Sequence, residues 1–230
     1  MKRIAVFVVG TLLCLGWNLM AQAPKNDVIK LPLTEYYVPG QSDYFVVLYT
    51  GDGGWRPIDV ELAKFLNSKS VSLVGIDSRS YFWAKKTKEE IGHDLHVIIN
   101  NYRMKWKKKR VVLIGYSFGA DISPFAYTSV PEEQRSEIKK IILVAPSQNA
   151  QFEIKLVDYL YEPRDGTPLK KELDRIDSRK IYVICDDDEN ALCNQLDNRV
   201  EHTFLEGGHH FNSNYKKLQA LVWGALSKSE

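Results

Sequence analysis

The chain has 230 residues, of which 44% are hydrophobic and 26% are charged, and its formal net charge is +2. These proportions are close to the averages of globular proteins, so they exclude disordered and fibrous proteins. The length fits one domain of ordinary size.

The first 23 residues have the pattern of an export signal. Met1-Lys2-Arg3 is a short basic head, Ile4–Trp17 is apolar, and the small residues Ala21 and Ala23 each offer a cleavage site. We therefore predict an exported protein with a signal peptide over residues 1–23 and a single domain over 24–230. An uncleaved membrane anchor is the alternative, and lipidation of Cys14 is a second one.

Removal of this signal takes away Lys2 and Arg3 and no acid, which leaves 29 basic and 29 acidic side chains. A formally neutral chain gives no reason to expect a nucleic-acid partner. One local run, residues 103–110, is basic, and we interpret it as a solvated helix end with cations at its C-terminus. The alternative is a patch that contacts anionic lipid at a membrane surface.

Short apolar runs alternate with amphipathic stretches, which predicts a mostly parallel, doubly wound α/β sheet with helices on both faces. The predicted strands are Leu31–Tyr37 at an edge, Tyr44–Tyr49, Val71–Ile76, Val111–Ile114, Ile141–Val144, Ile181–Cys185 and Val200–Phe204. The predicted helices are Pro57–Asn67, Thr87–Met104, Phe118–Ser129 and Asn214–Leu226. Residues 148–173 break the alternation, and we expect them to form a small cap over the carboxyl ends of the strands.

Residues 115–119 read Gly-Tyr-Ser-Phe-Gly directly after an apolar strand and directly before a helix. This is the G-x-S-x-G pattern in the context that a nucleophile elbow requires, and it predicts Ser117 as a catalytic nucleophile. The N–H of Phe118 would then point toward a developing oxyanion.

An α/β-hydrolase also needs an acid and then a histidine, in that order along the chain. Four acids, residues 186–189, follow the fifth of the six strands that come after the edge strand, and a Gly-Gly-His-His run follows the sixth. We predict Asp188 as the acid because the acid usually lies three residues past the strand end, with Asp187 as second choice. We prefer His209 to His210 as the base because it directly follows the glycines.

The loop after the first of these six strands is rich in glycine, so its backbone can approach a substrate closely. We expect the second oxyanion donor to be the N–H of Asp52 or Gly53. No pattern typical of a metal or cofactor site stands out, so we expect no cofactor. Cys185 and Cys193 either form a disulfide in an oxidising compartment or remain separate thiols.

Four segments together resemble the bacterial VirJ/AcvB family of virulence proteins. They are Thr50–Trp55, Gly75–Ser78 with Tyr81-Phe82-Trp83, Gly115–Asp121, and Gly207–Phe211. The resemblance implies an α/β-hydrolase fold, a periplasmic location, Ser117 as nucleophile and His209 as base. It also implies an ester substrate, lysyl-phosphatidylglycerol, for AcvB-type members and a type IV secretion partner for VirJ. The chain lacks the long extra N-terminal region of AcvB and so looks like the short form.

A lysyl ester carries two amines, and several carboxylates are predicted at the carboxyl ends of strands, where ligands bind in this architecture. We therefore consider Asp77 and Asp121 as substrate-binding residues, with helix capping as the alternative. Tyr81 and Trp83 are candidates for the pocket wall or for contact with lipid, and the core is the alternative place for them.

Overall fold

The structure, a computed structural model, describes residues 30–40, 42–155, 166–187 and 192–228. The predicted signal peptide, residues 1–23, lies outside the described residues, and so does Asp188. The strands are β1 Leu33–Tyr36, β2 Tyr44–Tyr49, β3 Leu73–Ile76, β4 Arg110–Tyr116, β5 Ile138–Val144, β6 Asn149–Ala150, β7 Thr167–Pro168, β8 Ile181–Asp186 and β9 Glu201–Leu205. The α-helices are α1 Pro57–Ser68, α2 Ser78–Tyr81, α3 Lys88–Trp106, α4 Phe118–Ser129, α5 Glu132–Arg135, α6 Leu169–Leu173 and α7 Tyr215–Ser227.

Seven strands form one sheet in the order β1-β3-β2-β4-β5-β8-β9. All neighbours pair in parallel except β1, which is antiparallel to β3 at one edge. The order reverses between β3 and β4, and the carboxyl ends of the parallel strands meet at one edge of the sheet, where ligands bind in open α/β folds. The predicted doubly wound α/β sheet is confirmed.

Both faces of the sheet are buried. Phe45, Val47 and Tyr49 of β2 point into a core on the side of α3 and α4, whereas the alternate residues of the same strand point into a second core. Helices α1 and α7 pack together on that second side. Because neither face of the central strands meets water, β2 and β3 are continuously apolar rather than alternating, whereas the edge strands β1 and β9 carry exposed residues.

The segment predicted as a cap contains a two-stranded antiparallel sheet of β6 and β7 followed by α6. Residues 156–165 lie outside the described residues. Close to the end of β8, Cys185 and Cys193 form a disulfide, which settles the question that the sequence left open. The disulfide ties the strand end to the short 3-10 helix Cys193–Gln195.

Candidate active site

Ser117 lies in a sharp turn between β4 and α4 and has a φ of 53° and a ψ of −122°. This left-handed φ is unusual for a residue with a side chain, and such strain is commonly stored at functional sites. Two glycines permit the turn. A Cβ on Gly115 would lie 2.2 Å from the carbonyl oxygen of Gly119, and a Cβ on Gly119 would lie 2.1 Å from the carbonyl oxygen of Tyr49.

We predict that Gly119→Ala destabilises the protein by about 3 kcal/mol, because the added methyl group would push α4 away from β2. Gly224→Ala is a matched control in α7, where a Cβ would meet nothing within 4 Å. This control should be stabilising by about 0.5–1 kcal/mol, since alanine favours a helix interior over glycine. Chemical denaturation of the two variants measures both changes, and equal effects would contradict the close approach at the elbow.

The hydroxyl of Ser117 forms a hydrogen bond with His209. The distance from Ser117 Oγ to His209 Nε2 is 2.7 Å, and His209 Nδ1 lies 3.0 Å from Asp186 Oδ2. The Asp186 carboxylate is buried, whereas the His209 ring is partly exposed. The three side chains therefore form the hydroxyl–imidazole–carboxylate relay that can remove a proton from a serine nucleophile.

The carboxylate in this relay is neither of the two that the sequence analysis selected. The preferred acid, Asp188, lies outside the described residues, and the contact to His209 is made by Asp186. The physical reason is that β8 runs one residue further than predicted and ends at Asp186, which pairs in register with Leu205 of β9. The strand end itself thus places the acid beside the loop that follows β9.

Asp187, the second choice, contacts the backbone of the histidine loop, residues 207–210. Its carboxylate accepts hydrogen bonds from the N–H of Gly207 at 3.1 Å and from the N–H of Gly208 at 2.5 Å. These backbone donors lower the pKa of the Asp187 carboxyl below its ordinary value. Two neighbouring acids therefore have different tasks, because Asp186 contacts the ring of His209 and Asp187 contacts the backbone before it.

We predict that Asp187→Ala lowers kcat by roughly 10- to 100-fold, since small displacements of a catalytic group cost rate steeply. Asp187→Asn should be milder because it keeps one acceptor oxygen. The lowered pKa means that these bonds stabilise the fold above the unfolded-state pKa of about 3.9 and are lost as the pH falls through the lower folded value. The free energy of unfolding, followed by circular dichroism, should fall less steeply with decreasing pH in Asp187→Ala than in the unaltered protein. An unchanged pH dependence together with an unchanged kcat would contradict this role.

Tyr116, next to the nucleophile, supports both histidines. Its hydroxyl donates to the carbonyl oxygen of His209 at 3.2 Å and lies 2.7 Å from Nδ1 of His210. Its ring stacks on that of His209 with centroids 5.8 Å apart. The sequence analysis did not select Tyr116, and the only signal for it was its place inside the elbow motif.

The chain after the histidines is strained. Phe211, Asn212 and Ser213 all have positive φ values of 51°, 47° and 57°, which cost energy in residues that carry a side chain. This left-handed turn buries Phe211 in the core and leaves Ser213 in the wall of a cavity. Strain of this kind is commonly stored in segments whose position matters for function, and this segment directly follows His209 and His210.

The predicted oxyanion donors belong to two segments next to Ser117, the start of α4 and the loop after β2. Phe118 is the first residue of α4, where backbone N–H groups lack partners within the helix and the helix dipole favours negative charge. The loop after β2 passes the nucleophile, because a Cβ on Gly51 would lie 3.5 Å from Cβ of Ser117. The N–H of Gly54 donates a hydrogen bond to the carbonyl oxygen of Gly51 and closes this loop, and Asp52 and Gly53 lie between these two residues.

A cavity of about 610 Å³ opens beside Ser117 and His209. Its other lining residues are Gly51, Asp52, Gly53, Arg56, Pro57, Ile58, Tyr116, His210, Ser213 and Tyr215. The volume is that of a site for a small molecule or for the head of a larger one. Asp52 is the one carboxylate among the described residues of this lining.

None of the four predicted substrate-binding residues is among the described residues that line this cavity. Asp77 accepts a hydrogen bond from the N–H of Ser80 and caps α2. Asp121 is buried and accepts one from the N–H of Ser147, and burial raises its pKa to about 8.

The two aromatic candidates differ in exposure. The hydroxyl of Tyr81 donates to Asp94 at 2.6 Å and its ring is buried, whereas the side chain of Trp83 is 55% exposed. Core and capping roles, the alternatives in the sequence analysis, therefore describe Tyr81 and the acid Asp77.

The described residues lack two further features. They contain no group of three or more His, Cys, Asp or Glu side chains arranged to hold a metal ion. In the same part of the chain, no helix combines the length and the apolar character that a membrane crossing requires.

A family model described as bacterial virulence protein (VirJ) matches residues 43–230. No curated protein matches the chain. Many solved structures are similar to it, and three examples at low identity follow. An esterase of Pyrococcus furiosus has 15% identity and a TM-score of 0.62, and the match covers 86% of each chain. The siderophore hydrolase EstB of Aspergillus fumigatus has 11% identity and a TM-score of 0.61, with 85% of this chain and 94% of that chain covered. A Xanthomonas campestris α/β serine hydrolase without a lid has 16% identity and a TM-score of 0.58, with 85% of this chain and 88% of that chain covered.

These likenesses show a shared fold, and they confirm the predicted α/β-hydrolase architecture. The family match confirms the resemblance that the four sequence segments carry.

Proposed function

The chain belongs to the VirJ family of bacterial virulence proteins, and from this premise we propose that it is a serine hydrolase that cleaves a carboxylic ester. The observation that carries the proposal is the pair of hydrogen bonds that join Ser117, His209 and Asp186. Their distances lie within the range expected for a nucleophile, its base and the acid that orients the base.

The reaction proceeds by acyl transfer. Ser117 Oγ attacks the ester carbonyl while His209 takes its proton, and the Asp186 carboxylate stabilises the imidazolium. The N–H of Phe118 and an N–H of the Asp52-Gly53 turn stabilise the oxyanion. His209 then protonates the leaving alcohol, and a water molecule, deprotonated by His209, releases the acid and restores the serine.

We propose the aminoacyl ester of an aminoacyl-phosphatidylglycerol, such as lysyl-phosphatidylglycerol, as the substrate. The support on this chain is Asp52, the carboxylate in the described wall of the cavity, since a carboxylate beside the nucleophile suits the amines of a lysyl group. The apolar Ile58 and Pro57 in the same wall suit a substrate that is partly lipid.

Release of free lysine from lysyl-phosphatidylglycerol tests this proposal. The purified protein should release lysine, and Ser117→Ala should not. Release of fatty acid without lysine would indicate a general esterase or lipase instead. A folded protein that releases neither product would support a binding protein of the cell envelope, for example one associated with type IV secretion.

We propose a periplasmic location; its support is the predicted export signal together with the Cys185–Cys193 disulfide, because such bonds persist in oxidising compartments. Fractionation of cells and N-terminal sequencing of the mature chain test this part. The N-terminus is expected directly after Ala21 or Ala23, and an uncleaved chain in the membrane fraction would contradict cleavage.

A further inference from the structure

The cavity beside Ser117 contains a cationic side chain that the proposed reaction does not use. Arg56 lines the cavity at the beginning of α1. Its guanidinium lies against the loop that supplies the proposed oxyanion donor, because a Cβ on Gly53 would lie 2.7 Å from Arg56 Nε. The same loop also passes Ser117, so this cation and the nucleophile belong to one site.

None of the ion pairs between described residues involves Arg56. The buried acid of its own helix, Asp59, accepts a hydrogen bond at 3.0 Å from the backbone N–H of Arg56 rather than from the guanidinium. Burial raises the pKa of Asp59 to about 7 although the charge of Arg56 lowers it, so this carboxyl is only a partial counter-charge for Arg56. The guanidinium is therefore available to a ligand.

The rest of the polar wall also offers hydrogen-bond donors. The hydroxyl groups of Ser213 and Tyr215 and the ring of His210 line the cavity with Arg56; the Tyr215 hydroxyl also donates to Ser213 Oγ at 3.4 Å, and His210 Nδ1 contacts the Tyr116 hydroxyl. Hydroxyls and imidazole N–H groups can donate to phosphate oxygens, and a planar guanidinium can bind two of them at once. This wall is suited to an anionic group of the substrate.

We propose that Arg56 binds the phosphodiester in the alcohol part of the ester and so selects phosphate-containing substrates. The inference rests on the proposed function for the position of the ester. Asp52 and Arg56 both lie in the loop between β2 and α1, beside Ser117, and they carry opposite charges. This arrangement fits a substrate with an amine on the acyl side of the scissile bond and a phosphate on the alcohol side.

Calorimetric binding of glycerophosphoglycerol, the water-soluble head of phosphatidylglycerol, tests the inference without any hydrolysis. Arg56→Gln should weaken binding about tenfold or more. Arg56→Lys should weaken it less, because lysine keeps the positive charge but cannot donate two parallel hydrogen bonds as a planar guanidinium does. Arg199→Gln is the matched control. This exposed arginine precedes β9, so it lies near the amino ends of the parallel strands, whereas Ser117 lies at their carboxyl ends. The control variant should bind the probe as the unaltered protein does.

Kinetics provide a second readout. Arg56→Gln should raise KM for lysyl-phosphatidylglycerol about tenfold and leave KM for a lysine p-nitrophenyl ester, which lacks phosphate, unchanged. Equal binding of the probe by Arg56→Gln and the unaltered protein would overturn the inference even if lysine is released. Binding that depends on Arg56 in a protein that releases no lysine would support the phosphate site while the proposed function fails. Inorganic phosphate that binds as tightly as the diester would overturn the assignment to a lipid head.

Discussion

Ser117→Ala is expected to lower kcat for lysine release by roughly 10⁴- to 10⁶-fold, with KM nearly unchanged. The reason is that the 2.7 Å contact between Ser117 Oγ and His209 Nε2 supplies the proposed nucleophile and its base together. The remaining rate would come from the oxyanion donors and from binding alone. Initial rates at saturating substrate measure the loss.

Ser136→Ala is a suitable control for this change. The hydroxyl of Ser136 is exposed and donates to the carbonyl oxygen of Glu133, just before β5 begins. Ser136 therefore lies toward the edge of the sheet opposite Ser117, and its loss should leave kcat unchanged. If Ser117→Ala retained more than a tenth of the activity while folded, Ser117 would not be the nucleophile.

Asp186→Asn is expected to lower kcat by about 10⁴-fold, because an amide beside His209 Nδ1 favours the wrong tautomer of the ring and does not stabilise its charged form. The side chain is buried, and its Oδ2 lies 3.0 Å from that nitrogen. The substitution preserves shape, so the melting temperature should change much less than the rate. Steady-state kinetics and thermal unfolding of the same preparation separate the two effects.

The neighbouring acids provide the comparison that makes this prediction specific. Asp188→Asn should reduce kcat less than tenfold, since Asp186 already occupies the acid position at His209. Asp187→Asn should fall between the two, because Asp187 contacts the backbone of the histidine loop. A larger loss in Asp188→Asn than in Asp186→Asn would return the acid to the residue that the sequence alone selected.

Strand and helix positions were largely predictable because hydrophobic period and glycine turns are local signals. The limits of β2 and α4 agree with the prediction. The start of β5 was missed because Lys139 and Lys140 interrupt the apolar run. Lys140 is nevertheless accommodated in the strand, since its Nζ donates to the carbonyl oxygen of Arg179, a partner distant in sequence.

The site was predictable where a motif fixes geometry and unpredictable where packing decides. The elbow motif fixes the position of Ser117, and the structure brings His209 to it. The acid depended on where β8 ends, which is set by its pairing with β9. The tasks of Asp77 and Asp121 depended on backbone N–H groups that only the folded chain brings near them.

Arg56 is a further residue whose proposed role could not be predicted from the sequence. Nothing in the sequence around it distinguishes it from any arginine before a helix. The role that we propose for it rests on the cavity wall that it shares with Ser117 and on the lack of an ion pair among the described residues.

Labelling with a fluorophosphonate probe, followed by mass spectrometry of the digested protein, tests the proposed catalytic serine most directly because it assumes no substrate. The account predicts one adduct, on the peptide that contains Ser117, and strongly slowed labelling in His209→Ala. A folded protein that remains unlabelled, or that is labelled at another serine, would contradict it.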